Sequence, residues 1–191
     1  MKSTTKRLTE LTMLIAIVVV LTVLCTFIRF GPFSITLALI PIIVGSILYG
    51  PGAGALLGAV FGLIVLVTGL FGWDGGTVLL LLSQNLGAVV ICLVKGAAAG
   101  WIPGLIYKAL GEKNEKAAVV LAAIAAPVTN TLLFIIGMFV FYTSTLESWA
   151  SGQAMVYFLI FGLTGINFLI ELITNLALTS AVTAIIKYKK S

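Results

Sequence analysis

Asn167, Glu171 and Asn175 follow one another at intervals of four in an apolar stretch toward the carboxyl end of the chain. On a helix that spacing keeps them on one slowly drifting face. There the amides offer donors and acceptors together, and the carboxylate offers acceptors alone. Two earlier apolar stretches carry Gln84, Asn85 and Lys95, and Thr129, Asn130 and Thr131. Gln84 and Lys95 are eleven residues apart, about three helical turns, so they also share a face. A charged side chain at bilayer depth costs at least about 2.5 kcal/mol, and it marks either a functional site or an internally compensated pair.

Two readings of these groups stand side by side. In one, Lys95 and Glu171 form a salt bridge and the asparagines tie helices together. In the other, the same groups line a cavity for a small polar molecule, with Arg29 and Trp73 near its outer mouth. Arg29 suits a ligand carboxylate or an interfacial anchor equally well. Glu171 repels a carboxylate unless it pairs with Lys95 or accepts a ligand hydroxyl, which keeps a cationic or neutral ligand open.

The residues that most chemistry requires are missing. There is no histidine, the usual metal ligand and general base, and no HExxH, GxSxG or paired-carboxylate constellation. Cys25 and Cys92 both sit in apolar segments without CxxC spacing, as buried thiols do. No catalytic residue, metal or cofactor is expected. Without a GxxxxGK[ST] loop the chain does not hydrolyse ATP by the P-loop route, so active transport would draw on another subunit or on an ion.

The elements that must position these groups follow from hydropathy. Of 191 residues, 61% are hydrophobic and 9% charged, and the mean hydropathy is +1.23, against roughly 25% charged residues in a soluble domain. At about 20 residues per crossing, the chain has room for six helices and short loops. The expected fold is a single all-α membrane domain over residues 1–191, with spans at 9–28, 34–50, 52–70, 77–108, 117–142 and 154–187. Turn chemistry separates them at Gly31-Pro32, Gly50-Pro51-Gly52, Gly72 to Gly76 and Gly111 to Lys116. The fourth and sixth segments exceed one crossing, which predicts tilt, a cytoplasmic extension or a short interfacial helix. The first apolar run is too long for a signal core, and Cys25-Thr26-Phe27 is no cleavage site, so it is read as a permanent helix.

Nine basic residues fall in the amino terminus, the loop after the fourth helix and the tail, against Arg29 alone on the other side. That asymmetry predicts a multi-pass protein of the plasma membrane with both termini in the cytoplasm. The +5 net charge is thereby a matter of topology, with no nucleic-acid partner implied. Gly54, Gly58 and Gly62, and later Gly96, Gly100 and Gly104, recur every four residues. Such ridges either pack internally or dock another subunit.

The stretch Ile35 to Gly62, ITLALIPIIVGSILYGPGAGALLGAVFG, resembles the second and third helices of the S components of energy-coupling factor (ECF) vitamin transporters, in the group that binds riboflavin, folate and pantothenate. The IPxxxGxxxYGPxxG pattern is fairly specific to that group, and the size and layout extend the resemblance to essentially the whole chain. It implies a subunit that binds a vitamin near the outer face, beneath the loop joining the first two helices and the loops after the third and fifth. Such a subunit docks on a transmembrane T component carrying two cytoplasmic ATPases and topples in the bilayer to release its cargo. The family docks through an Ala-x-x-x-Ala face on the first helix; the matching positions are Ala16 and Val20, so one small residue is replaced by a larger one. Gly54 and Gly58 are further candidates for docking.

Asn130 to Met138, NTLLFIIGM, and Asn167 to Asn175, NFLIELITN, are most similar to the pantothenate members. The Leu-Asp-Phe-Ser-Asp sequence of many riboflavin members is absent, and Ile35-Thr36-Leu37 stands in that region. Pantothenate carries a carboxylate, an amide and two hydroxyls, which suit Arg29, Asn130, Asn167 and Asn175. The same subunit type for riboflavin, folate, thiamine or pyridoxine, a stand-alone ion-coupled carrier and a purely structural membrane subunit remain as alternatives.

Overall fold

The computed structural model describes residues 2–28, 33–83 and 85–190. It is 87% helical. Helix α1 spans Lys2–Thr26, α2 Leu39–Tyr49, α3 Pro51–Leu70, α4 Gly75–Ser83, α5 Asn85–Leu110 and α6 Glu115–Phe141. Then come α7 at Thr143–Ala150, a single turn α8 at Met155–Tyr157, a π-helical segment Phe158–Thr164, α9 at Gly165–Ala177 and α10 at Thr179–Lys190.

Four of these are long and apolar enough to cross a bilayer, over Thr5–Thr26, Pro51–Leu70, Leu86–Leu110 and Glu115–Phe141. A fifth is added if the pair Met155–Gly162 and Gly165–Ala177, bent by 41°, counts as one span. The expected segment 34–50 is helical only over Leu39–Tyr49, 11 residues, about 16 Å of helix against a hydrocarbon core of about 30 Å. The expected segment 77–108 is helical over Gly75–Ser83 and Asn85–Leu110, with residue 84 outside the described residues, and the expected segment 154–187 is broken by the π segment and again at Leu178.

Local chemistry accounts for most of the boundaries. Gly50 ends α2 at φ 94°, its amide donating to the Ser46 carbonyl, a conformation that costs other residues strain. Pro51 then opens α3 at a position where its missing N–H is not needed. Asn114 caps α6 by accepting from the Ala117 amide at 3.0 Å. In the π segment the Thr164 hydroxyl donates to the carbonyls of Leu159 and Ile160, at 2.9 and 3.3 Å. It thereby satisfies backbone groups that the widened turn leaves open.

Packing is tightest between α3 and α5. A Cβ at Gly54, Gly58 or Gly62 would collide with the carbonyl oxygen of Gly100, Gly96 or Cys92 in turn, so only glycine allows the two backbones to touch. Gly54 and Gly58 are buried in this contact. The face that carries this pair is thus packed against α5 inside the bundle. Two hydrophobic clusters close the bundle. Leu39, Ile42, Leu57, Ala99 and Ala122 belong to one, and Leu80, Ile91, Phe134, Met138 and Leu159 to the other.

Helix α9 shows how a bilayer inverts the usual pattern. Its buried residues are Asn167, Glu171 and Asn175, while Ile166, Leu169 and Ile173 are exposed. In water that arrangement would be upside down; in lipid, the apolar face turns outward and the polar face must find partners inside.

Candidate functional site

The polar face of α9 borders a cavity lined by residues of both hydrophobic clusters and open on one side. Its walls come from several elements. α3 gives Phe61 and Val65, α5 gives Ile91, Cys92 and Lys95, α6 gives Asn130, Thr131 and Phe134, and α9 gives Asn167, Phe168 and Glu171. A strap of non-helical chain, Phe33 to Thr36, lies along one side.

Each amide in the site is oriented by an acceptor. Asn130 Nδ2 donates to Glu171 Oε2 at 3.5 Å, and Asn167 Nδ2 donates to the Phe33 carbonyl at 3.1 Å. Reversing either amide would set oxygen against oxygen. The carboxamide oxygens of Asn130 and Asn167 consequently point away from those partners, and both are buried without a hydrogen-bond donor. These side chains are only 6% and 8% exposed, and an unsatisfied buried acceptor costs about 1–3 kcal/mol. A ligand or ordered water that donates to them would remove that cost.

Lys95 enters from the middle of α5. Its ammonium lies 5.9 Å from the Phe61 ring centroid and 5.4 Å from that of Phe134, within range of cation–π attraction. Among the described residues no salt bridge joins it to Glu171, though the two charges lie within electrostatic reach; the carboxylate accepts from Asn130.

The strap is fastened at several points. The Ser34 hydroxyl donates to Asp74 Oδ1 at 3.1 Å, Asn167 holds the Phe33 carbonyl, and the Phe33 ring stands edge-on to Phe134 at 4.9 Å between centroids. Asp74 is itself buried at 3% exposure. Its Oδ2 accepts from the Thr77 amide at 2.9 Å and from the Thr77 hydroxyl, so it caps α4 while gripping the strap. Gly76 leaves room for the Phe33 ring, which a Cβ there would strike.

The structure thus brings Lys95, Asn130, Asn167 and Glu171 into one cavity. Asn175 lies outside its walls and donates to the Glu171 backbone carbonyl at 2.8 Å. Trp73 is 43% exposed and packs against Phe27 and Phe71 rather than facing the cavity. Arg29, Gln84 and the side chain of Asn85 fall outside the described residues. On α1, Ala16 and Val20 are both exposed, beside Met13, Ile17 and Leu24. Sequence reasoning missed Asp74 as a wall residue, together with Ser34 and Thr77. The one available sign was Asp74 three residues ahead of Thr77 at the start of an apolar run, a capping arrangement.

Comparison with known proteins bears on what such a cavity serves. Residues 6–183 match the family described as "ECF transporter, substrate-specific component". The chain is also 31% identical to the pantothenic acid transporter PanT of Lactococcus lactis subsp. cremoris, over 95% of this chain and 93% of the relative. An all-helical fold whose polar residues turn inward on a cavity fits that match, and the chain belongs to the family of substrate-specific components of ECF transporters, multi-pass proteins of the plasma membrane.

Proposed function

We propose that this chain is the high-affinity substrate-binding subunit of an ATP-driven ECF importer and that its cargo is pantothenate. The carrying observation is the cavity, where two buried carboxamide oxygens lack donors and a lysine and a glutamate stand nearby. Pantothenate supplies two hydroxyls and an amide N–H for the oxygens and a carboxylate for the cation. The relative named for pantothenic acid, similar along nearly its whole length, supports the same choice.

Membership of the family supports a division of labour in which a transmembrane T component and two cytoplasmic ATPases drive release. The exposed face of α1 at Ala16 and Val20 is the surface for that docking. Six crossings result if α2 and the preceding strap together serve as one, and the nine-to-one distribution of basic residues favours cytoplasmic termini. In proteoliposomes, uptake of labelled pantothenate is expected only when the partner subunits and ATP are present. Uptake by the chain alone, abolished by an ionophore, would replace this reading with that of a secondary carrier.

A further inference from the structure

A groove opens on the outside of the bundle, where α6 meets the bent carboxyl-terminal segment. Its walls are mainly apolar, with Leu132 and Ile135 from α6 and Ile160 from the π segment, and Gly165 at the bend has no side chain to close the gap. Thr131, Thr164 and Phe168 line it from within, and these three also line the central cavity. The Thr164 hydroxyl is turned onto the carbonyls of Leu159 and Ile160, so its proton is not offered to the groove.

Helix α6 runs for 27 residues, about 40 Å. Its midpoint falls at residue 128, and the groove follows it from there to residue 135, about 10 Å toward the Phe141 end. With α6 centred on a hydrocarbon core about 30 Å thick, the groove lies wholly within the acyl region of one leaflet. It is also continuous with the surface that faces lipid, since Leu132, Ile136, Ile160, Phe161 and Leu169 around it are exposed. Water at that depth would find few hydrogen-bonding partners in such walls, and an empty groove would forfeit dispersion contacts. A hydrocarbon chain of the bilayer meets both conditions.

We infer that one acyl chain of a membrane lipid seats in this groove, and that Phe168, with Thr131 and Thr164, is the partition that keeps it out of the central cavity. The bilayer then reaches to within one side chain of that cavity and backs its wall on this side. The inference goes beyond the pantothenate reading and does not rest on it.

The test is photolabelling of the full chain in nanodiscs of phosphatidylcholine that carries a diazirine midway along one acyl chain, with labelled residues located by peptide mass spectrometry. Leu132, Ile135 and Ile160 should be labelled several-fold more than Leu56 and Leu63, exposed apolar residues of α3 that report the ordinary lipid shell. Leu132→Trp, a change at an exposed position, should fill the groove and lower the labelling of Ile135 and Ile160 to the α3 level. Phe168→Ala should let the label through to Phe134 in the cavity wall, which stays unlabelled in the unmodified protein. Equal labelling of the groove and of α3 in the unmodified protein would overturn the seat, and that comparison needs no variant to fold. Groove residues shielded from the lipid while Leu63 is labelled would overturn it in favour of a second copy of the chain. Phe134 left unlabelled in Phe168→Ala, with the groove still labelled, would overturn the partition.

Discussion

Where α3 meets α5, backbone lies against backbone; where α6 faces α9, polar side chains face a space that they do not fill. On the first side Gly54, Gly58 and Gly62 leave no room even for a methyl group. On the second, Asn130 and Asn167 keep buried oxygens without donors, and the chain bends by 41° around a π segment. Both sides sit in the same bilayer and draw on the same apolar composition. The difference shows how such a bundle divides its packing: small residues supply rigidity by contact, and polar side chains border a space that they do not fill. An apolar groove lined by Leu132, Ile135 and Ile160 flanks the second side and shares Thr131, Thr164 and Phe168 with the cavity, so the loose packing extends to the outer surface of the bundle.

The sharpest way to break this contrast is to crowd the tight side. Gly58→Leu pushes a side chain into the Gly96 carbonyl, which belongs to backbone that cannot turn aside. A loss of about 3 kcal/mol or more is expected, seen as collapse of the yield and of the thermal midpoint in detergent. Toleration of this change would mean that the two sides do not differ as described. Next in size, Asn130→Ala or Asn167→Ala should weaken vitamin binding by about tenfold or more, from the loss of a buried hydrogen-bonding group, with folding largely intact. Unchanged affinity would make these asparagines packing residues.

A smaller effect is expected at the strap. Asp74→Asn keeps one acceptor oxygen, enough for Thr77, but turns a donor toward Ser34 and removes the charge, at about 1 kcal/mol. Stopped-flow release of bound vitamin should quicken several-fold; an unchanged rate would leave the strap to Asn167 and the Phe33–Phe134 contact. The smallest effect on the chain itself is expected on α1. Ala16→Trp, on an exposed face, should alter stability by no more than about 0.5 kcal/mol and leave vitamin affinity alone, yet abolish uptake by the assembled transporter. Normal uptake would remove Ala16 from the docking surface.

Much of this contrast was legible in the residues. The fourfold spacing of glycines announces close backbone approach, and Asn167, Glu171 and Asn175 at the same interval announce a polar face; both signals are local and periodic. Gly50-Pro51 marked a turn for the same reason. What periodicity does not carry is tertiary. Residues 34–37 fall within the expected span, yet they run as a non-helical strap because Asp74 and Asn167, distant in sequence, take hold of its start. Asn175 shares the spacing of its neighbours but not their surroundings, since its amide turns back on the Glu171 carbonyl. The break in the expected sixth segment gave no proline as warning, and its widened turns are satisfied by a threonine hydroxyl that resembles any other threonine in sequence.

The claim at the centre is that this chain holds its vitamin unaided. It is tested most directly by titrating the purified protein, free of partner subunits, nucleotide and ion gradient, with pantothenate beside riboflavin, folate, thiamine, biotin and pyridoxine. Submicromolar binding of pantothenate, with the others far weaker, is the expected result. A tight flavin complex, or no binding to any of the six, would contradict it.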